Sequence, residues 1–267
     1  MKQRPSFPAS FSTFNSSSKS LIQKKPLTIL SKPSTLDLKR LAISSSSVGH
    51  GLDSSAVRMN MIRQIQADGV DNPIVITAMT KIERHRFVDS ALINQAYEDT
   101  SLPIGWGQTI SKPGVVARML GLLCRGSIVK LGRVLEIGTG CGYQAALLSL
   151  VAREVYSIER LSGLHERARV NLRPFRLPNL HMMLGDGMLG YAKGAPYAAI
   201  ISAAGGETVP KAWTDQLAIG GRLVAPMYGT GPSKGQQSLL VVDKTERGLV
   251  ETRFEAVSFV PLKSGVA

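Results

Sequence analysis

Short apolar segments alternate with segments of helical periodicity from Arg133 onwards, and this alternation limits the possible folds more than any other feature of the chain. The apolar segments, typical of buried strands, cover residues 133–138, 154–159, 180–186, 197–204 and 220–227. The helical segments between them cover residues 143–152, 162–175 and 209–218. Strands that are apolar on both faces and joined by helices form parallel sheets with helices on each side. The sequence therefore predicts a doubly wound, mostly parallel α/β sheet.

The segments on either side of this region have patterns of their own. The helices predicted before it run from Ser54 or Ser55 to Gly69, over residues 73–82 and over residues 115–123. After it, "QQSLLVVDKTERGLVETRF" predicts two antiparallel strands that turn at residues 245–248. We expect a single domain with three parts, a helical segment with a loop, the sheet, and the antiparallel strands: residues 54–128, 129–230 and 231–267.

Residues 1–53 form a basic segment that is rich in Ser and Pro. It holds eight Lys or Arg and two Asp, so nearly half of the formal charge of +13 lies there. Such a composition buries too little apolar surface to fold, and we predict a disordered tail. A Ser-rich, acid-poor composition is also typical of an organellar transit peptide, which remains an alternative. The other charges are spread thinly, without a basic motif interleaved with aromatic residues, so nucleic-acid binding is not expected.

Membrane and metal proteins are two further classes that the sequence disfavours. Its apolar runs are shorter than the roughly 18 residues of a membrane span. Its two cysteines do not make a disulfide framework, which suits a reducing compartment. The four histidines never stand at ligand spacing with cysteine or carboxylate, so no metal site is expected. We expect a monomer in the cytoplasm, or in an organelle if the tail is a transit peptide.

The loop "LEIGTGCGYQ" joins the first predicted strand of the sheet to its helix. Gly138, Gly140 and Gly142 alternate there, and glycine lets a backbone turn tightly and lie against a ligand. A dinucleotide site needs the spacing Gly-x-Gly-x-x-Gly. This loop instead has Gly-x-Gly-x-Gly, with Glu136 two positions before the first glycine, which is the pattern of S-adenosylmethionine sites. A glycine turn that holds no ligand is the alternative.

Carboxylates at the ends of the next two strands complete the predicted site. Glu159 ends the second strand, where its carboxylate can accept hydrogen bonds from both ribose hydroxyls. Asp186, in "GDG", stands where a side chain can reach the adenine. The sheet is therefore predicted to be of the Rossmann-like S-adenosylmethionine-dependent methyltransferase type, with S-adenosyl-L-methionine as cofactor. The candidate cofactor-binding residues are Glu136, Gly138, Thr139, Gly140, Gly142, Glu159, Asp186 and Gly187.

The stretch "LPIGWGQTISKPGVVARM", residues 102–119, changes from a turn-like half to a helix at Pro113. Gly-x-Gly-Gln-Thr-x-Ser before a helix is consistent with a loop that closes over a ligand. It is equally consistent with a helix cap, because Ser111 precedes Lys-Pro and an apolar helix. The local sequence leaves both interpretations of Ser111 open.

Five segments together resemble those of the protein-L-isoaspartate O-methyltransferase family. In chain order they are "PIGWGQTISKPGVVARM", "VLEIGTGCGYQAALLS", "VYSIER", "GDGMLGY" and "AVSFVPL". The resemblance runs from about Val57 to the C-terminus, and its most specific element is "GQTIS" at residues 107–111. Four residues depart from the pattern that is common in the family: Glu83, Lys112, Gly114 and Ala198.

The resemblance implies a repair enzyme that transfers a methyl group from S-adenosylmethionine to the α-carboxylate of L-isoaspartyl residues in damaged proteins and peptides. The ester then closes to a succinimide without the enzyme. The resemblance places Gln108, Thr109 and Ser111 at the active site, with Ser111 as the residue associated with activity. A carboxylate is already ionised and nucleophilic at neutral pH, so the chemistry needs no His/Asp pair. The alternatives are a methyltransferase of the same fold with another substrate, a catalytically silent S-adenosylmethionine-binding protein, and a dehydrogenase.

Overall fold

The computed structural model describes residues 55–125, 127–229 and 235–267, and the predicted N-terminal tail lies outside them. The helices are α1 (Ser55–Ala67), α2 (Pro73–Lys81), α3 (Pro113–Cys124), α4 (Tyr143–Val151), α5 (Ser162–Leu172) and α6 (Lys211–Gln216). The strands are β1 (Leu102–Gly105), β2 (Gln108–Ile110), β3 (Leu131–Ile137), β4 (Ala152–Glu159), β5 (Leu180–Leu184), β6 (Tyr197–Ser202), β7 (Leu217–Tyr228), β8 (Gln237–Thr245) and β9 (Gly248–Val257). Each strand and helix predicted from Arg133 onwards is therefore found.

Seven of the strands form one sheet in the order β5-β4-β3-β6-β7-β8-β9. The pairs from β5 to β7 are parallel, and the pairs that β8 makes with β7 and β9 are antiparallel. The predicted doubly wound, mostly parallel sheet with an antiparallel end is confirmed. The strand order reverses at β3, since β4 lies on one side of it and β6 on the other. Ligands of such sheets bind in the crevice at the carboxyl ends of the strands beside this reversal.

Apolar side chains pack on both faces of the sheet. The larger core cluster contains side chains from the five helices α1, α2, α3, α4 and α5. They pack against sheet residues such as Val134, Val155 and Val224. A smaller cluster on alternate strand positions includes Tyr197 of β6 and Trp213 of α6. Burying one large apolar side chain contributes about 1.5–3 kcal/mol, so these two layers fix the strands that carry the site. None of the described helices has the combined length and apolar character that a membrane span requires.

Two helices, α5 and α6, are clearly shorter than the sequence pattern predicts, and proline accounts for one of them. The helix predicted over residues 162–175 ends at Leu172 and continues as a 3₁₀ turn, Arg173–Phe175. Pro174 within that turn has no N–H with which to continue the α-helical ladder. The helix predicted over residues 209–218 covers only Lys211–Gln216, because the chain enters β7 at Leu217.

The stretch that the sequence predicts as a loop is a β-hairpin. β1 and β2 pair antiparallel, with Trp106 and Gly107 as the two residues between them. Both have positive φ, 49° and 66°. Arg167 of α5 donates a hydrogen bond from Nη1 to the carbonyl oxygen of Ile104 at 2.7 Å. The hairpin is thereby held against α5.

Candidate active site

A cavity of about 280 Å³ opens at the carboxyl ends of β3, β4 and β6. Its walls come from the glycine loop after β3, the hairpin and residues 260–263 near the end of the chain. The predicted site residues that line it are Gln108, Thr109, Ser111, Gly138, Thr139, Gly140, Glu159 and Gly187. Three predicted cofactor residues do not line it: Glu136, Gly142 and Asp186. The structure thus brings the candidate catalytic segment and the glycine loop to one cavity.

The glycine loop has the backbone that its sequence pattern predicts. Gly138, Gly140 and Gly142 have φ values of 87°, 56° and 94°, in the left-handed region that favours glycine. Gly142 is also the N-cap residue of α4. A Cβ there would lie 2.8 Å from Cδ1 of Leu172, so both conformation and packing require glycine. Gly142 therefore shapes the loop from behind the cavity wall.

Glu159 lines the cavity and binds backbone N–H groups of two segments, the glycine loop after β3 and the residues that follow β4. Its Oε2 accepts a hydrogen bond from the N–H of Gly140 at 2.8 Å, and its Oε1 accepts one from the N–H of Leu161 at 2.9 Å. Only 5% of the residue is exposed. Because each carboxylate oxygen has two lone pairs, Glu159 retains acceptor capacity towards the cavity.

Glu136 lies behind the loop in a buried hydrogen-bond network. Its Oε2 accepts a hydrogen bond from Ser157, whose hydroxyl is 2.6 Å from that of Thr139 at the cavity wall. Burial raises the pKa of the Glu136 carboxyl from 4.5 to about 8, although Ser157 and the nearby Gln144 amide act in the opposite direction. Glu136 is therefore connected to the cavity through the hydroxyls of Ser157 and Thr139 and through the Gln144 amide, and its raised pKa favours the protonated carboxyl at neutral pH.

Asp186 binds two backbone segments. Its Oδ1 accepts a hydrogen bond from the N–H of Met188 at 2.8 Å, and its Oδ2 accepts one from the N–H of Gly265 at 2.7 Å. The neighbouring Gly187 does line the cavity. The carboxylate thus fastens the C-terminal segment to the end of β5, a role that the local sequence does not indicate.

Ser111 is not the cap of α3. The N-cap position is Lys112, which makes no side-chain capping bond. The free N–H of Gly114 in the first turn is instead bound by Oδ1 of Asp99 at 2.8 Å. Within the described residues the Ser111 hydroxyl has no hydrogen-bond partner. The structure therefore does not support the cap interpretation of Ser111, and it places Ser111 at the wall of the cavity.

The C-terminal segment is a wall of the cavity that the sequence patterns did not assign to the site. Its residues 260–263 line the cavity, and Gly205 fixes them through two backbone hydrogen bonds, to Val260 O at 2.8 Å and from Leu262 N at 2.7 Å. Two basic residues, Lys263 and Arg160, also line the cavity, and Nε of Arg160 donates a hydrogen bond to the carbonyl oxygen of Gly265 at 2.9 Å. The only signal for this segment was "FVPL" in the family resemblance, because its partners lie far away along the chain.

The residues of the cavity fit S-adenosylmethionine. Thr139 and Gln144 bring polar side chains to the cavity wall, and the Gln144 amide also acts on the buried carboxyl of Glu136. Glu159 offers carboxylate acceptors, while Ile137 and Ile158 offer apolar walls. A ligand with hydroxyl groups, an aromatic base and an amino-acid end uses all of these features. The cavity volume, near the lower end of the range for small-molecule sites, also suits such a ligand.

Comparisons with known proteins agree with this geometry. The family model for protein-L-isoaspartate(D-aspartate) O-methyltransferase matches residues 56–267. The chain is 59% identical over 221 residues to the protein-L-isoaspartate O-methyltransferase of Leptothrix cholodnii, covering 82% of this chain and 77% of that one. It is 56% identical over 221 residues to the enzyme of the same name from Methylibium petroleiphilum, covering 81% of each.

Solved structures show the same fold. A protein-L-isoaspartate O-methyltransferase superposes with a TM-score of 0.70 at 27% identity, over 78% of this chain and 67% of that chain. A putative enzyme of this name from Plasmodium falciparum, in complex with S-adenosyl-L-homocysteine, superposes with a TM-score of 0.67 at 22% identity. That alignment covers 77% of this chain and 98% of that chain, and it is evidence for the fold alone.

Proposed function

The chain belongs to the protein-L-isoaspartate O-methyltransferase family, and on that premise we propose how its own residues carry out the reaction. The enzyme transfers a methyl group from S-adenosylmethionine to the α-carboxylate of L-isoaspartyl residues in damaged proteins and peptides. The methyl ester starts repair, because it closes to a succinimide without the enzyme. The observation that carries the proposal is that Gln108, Thr109 and Ser111 share one cavity with the glycine loop.

The glycine loop and the end of β4 are the proposed cofactor side of the cavity. When bound, S-adenosylmethionine supplies an activated methyl group on a sulfonium. Glu159 would bind the ribose hydroxyls, since its carboxylate lines the cavity and retains lone pairs. The backbone of Gly138, Thr139 and Gly140 would lie against the ligand, and Gly187, which packs on Ile137 at the end of β3, also lines the cavity. Glu136 and Gly142 support the loop from behind.

Asp186 has a different position from the other proposed cofactor residues. We keep it as a candidate adenine contact, because it adjoins Gly187 at the cavity. Its carboxylate already accepts two backbone hydrogen bonds, so any contact with adenine would use a remaining lone pair. An Asp186 substitution would therefore affect the C-terminal segment as well as the cofactor.

The proposed substrate side is the hairpin and the residues that follow it. The free hydroxyl of Ser111 can donate a hydrogen bond to one oxygen of the substrate carboxylate. Thr109, two residues earlier at the same cavity, can donate a second, and the Gln108 amide can orient the peptide. Lys263 and Arg160 at the cavity favour an anionic substrate over a neutral one. Together these groups hold the carboxylate where it meets the methyl group.

The reaction requires that the protein align the reactants and exclude water, and it does not require a general base. The attacking oxygen is already ionised at neutral pH, because an ordinary carboxyl group has a pKa near 4. The hairpin and residues 260–263 both line the cavity and would help to exclude water from the reacting groups. Holding two reactants in a near-attack geometry removes much of the entropic barrier. Hydroxyl donors without a neighbouring base therefore suffice.

The other hypotheses are not favoured by the comparisons. A dehydrogenase, a methyltransferase for another substrate and a silent binding protein do not account for the family match over residues 56–267. We further propose that the protein is a cytoplasmic monomer that does not bind nucleic acid. A dimer mass in light scattering would contradict the monomer. Retention on a DNA column at physiological salt would contradict the absence of nucleic-acid binding.

The decisive experiment uses two synthetic peptides that differ only in L-isoaspartate or L-aspartate at one position. With labelled S-adenosylmethionine, we expect a base-labile methyl ester on the isoaspartyl peptide alone. Equal labelling of both peptides would refute the specificity. Labelling of neither peptide, with S-adenosylhomocysteine still bound in calorimetry, would refute the substrate and leave the cofactor assignment standing.

A further inference from the structure

Trp106 stands in a position that local backbone rules disfavour for tryptophan. It is the first of the two residues between β1 and β2, and both it and Gly107 have positive φ. Two-residue hairpin turns with positive φ at both positions prefer Asn-Gly, Asp-Gly or Gly-Gly. A bulky side chain there costs conformational energy that other interactions must offset, and such residues concentrate at functional sites.

One edge of the Trp106 indole is fixed against α5. A Cβ placed on Gly163, in the first turn of α5, would lie 2.3 Å from Cζ2 and 2.6 Å from Cε2 of the indole. The ring edge therefore rests directly on the glycine backbone. This contact, together with the hydrogen bond from Arg167 to Ile104, fixes the hairpin next to the cavity.

The rest of the indole is exposed at the cavity. Trp106 is 56% exposed, and among the large exposed apolar residues of the described chain it is the one that lines the cavity. Packing on Gly163 explains why an edge is buried. It does not explain why the largest apolar side chain presents its remaining surface beside the candidate catalytic residues. An aromatic surface of this kind gains energy when a second apolar or aromatic side chain covers it.

We infer that Trp106 is a specificity-determining residue, which binds a bulky apolar or aromatic side chain close in sequence to the isoaspartyl residue. The inference rests on the proposed function, because it concerns how the same cavity takes its peptide. Ser111 is five residues from Trp106, at most about 17 Å along an extended chain. A peptide rises about 3.3 Å per residue, so the side chain in contact lies within a few residues of the isoaspartate.

The test measures peptide preference and not activity alone. The host is an alanine-rich peptide with one central isoaspartate, and a phenylalanine is placed in turn at each position from about five before to about five after it. We expect kcat/KM at the best position to exceed that of the all-alanine flank by roughly threefold to tenfold, mostly through KM. Trp106→Ala should bring this ratio to about one, and Trp106→Phe should retain part of it.

The matched control is Val170→Ala. Val170 is also an exposed apolar residue, but it lies on α5 and does not line the cavity. This substitution should leave the phenylalanine preference unchanged. If Trp106 only holds the hairpin in place, its replacement lowers kcat/KM equally for the phenylalanine and alanine peptides, and an unchanged ratio overturns the inference. Should Trp106→Ala fail to fold, the ratio in Trp106→Phe and Trp106→Leu decides instead. Failure to methylate any isoaspartyl peptide would overturn the proposed function and this inference together.

Fluorescence gives a readout that is independent of turnover. The chain has two tryptophans, and Trp213 is fully buried, so changes in the exposed emission report Trp106. With S-adenosylhomocysteine present, the best phenylalanine peptide should shift the emission to the blue as the indole becomes covered. The alanine peptide should shift it less, and Trp106→Phe should abolish the response. Equal shifts with both peptides would contradict the inference.

Discussion

Glu136→Gln should change the pH dependence of stability in a direction that is unusual for a carboxyl group. Glu136 is fully buried, and burial raises the pKa of its carboxyl to about 8. The amide of glutamine has nearly the same shape and does not ionise. Its carbonyl oxygen can still accept the hydrogen bond from Ser157. The substitution therefore removes the ionisation while retaining most of the packing.

The sign and size of the effect follow from proton linkage. Between the ordinary pKa of 4.5 and the folded value of about 8, the folded protein holds a proton on Glu136 that the unfolded chain has released. Glu136 therefore lowers the free energy of unfolding as the pH rises through this window. The slope approaches about 1.4 kcal/mol per pH unit, which gives roughly 3 kcal/mol between pH 5 and pH 8. Between pH 5 and pH 8, the free energy of unfolding of Glu136→Gln should therefore rise by about that amount relative to the wild type.

Thermal or urea unfolding of the cofactor-free protein at pH 5, 6, 7 and 8 measures this difference. A relative gain of about 3 kcal/mol corresponds to about 6–12 °C in Tm for a domain of this size. The control is Glu154→Gln, a partly exposed carboxylate whose pKa is lowered, mainly by its hydrogen bond with Arg133. Its stabilising effect is lost only as the pH falls below the usual carboxyl range. Because Nε2 of His181 lies 3.2 Å from Oε1 of Glu154 and histidines ordinarily change charge between pH 5 and 8, this control is compared with its parent in a His181→Gln background, where the difference should be constant from pH 5 to 8.

A difference between wild type and Glu136→Gln that stays constant over the same pH range would refute the reasoning. It would mean that Glu136 ionises equally easily in the folded and unfolded states. The hydroxyls of Ser157 and Thr139, or water that enters from the cavity, would then solvate the charge. Parallel pH profiles for Glu136→Gln and Glu154→Gln would lead to the same conclusion.

Three further tests, on Ser111, Glu159 and Gly142, concern the site and the loop, and two of them use a second variant for comparison. Ser111→Ala should lower kcat/KM for isoaspartyl peptide by roughly 10- to 100-fold without weakening S-adenosylhomocysteine binding in calorimetry, since a hydrogen bond to a carboxylate contributes about 1.5–3 kcal/mol. The Tm of Ser111→Ala should stay near that of the wild type, whereas Asp99→Ala should lower the free energy of unfolding by about 1 kcal/mol, because Asp99 caps α3. If Ser111→Ala is destabilised more than Asp99→Ala, the cap interpretation of Ser111 is restored. Glu159→Gln should weaken S-adenosylhomocysteine binding about tenfold, and an unchanged Kd would refute the ribose assignment. Gly142→Ala should cost more stability in urea than Gly69→Ala, because both have positive φ but only Gly142 also meets a side chain, at 2.8 Å; equal losses would mean that Leu172 moves aside freely.

The glycine loop and its position at the cavity could be predicted from the sequence because their signals are local. A buried strand, an alternating glycine loop and a helix follow one another within residues 131–151, and the backbone of that loop has the positive φ values that its glycines indicate. Glu159 ends the neighbouring strand, and parallel strands bring their carboxyl ends to one edge. The register of β3 and β4 then places Glu159 beside Gly140. Strand periodicity and strand order suffice for this part.

The remaining features depend on contacts that no local pattern contains. Asp99 caps α3 from fifteen residues away, so "Ser-Lys-Pro" was a misleading cap signal at Ser111. Asp186 binds Gly265, which is 79 residues later in the chain. The hairpin strands have only four and three residues, too few for an alternating pattern to show. The sequence therefore singled out this segment as a candidate for the site but did not predict that it forms a β-hairpin.

The two halves of the cavity are held by different kinds of contact. The glycine loop follows β3, where the strand order reverses, and the buried Glu159 accepts a hydrogen bond from Gly140. The hairpin is anchored by Leu102, Ile104 and Ile110, which are buried in the larger core cluster, and by the hydrogen bond from Arg167 to Ile104. Because Asp99 binds the free N–H of Gly114 in the first turn of α3, the proposed hydrogen bond from Ser111 to the substrate carboxylate does not compete with the capping of that helix.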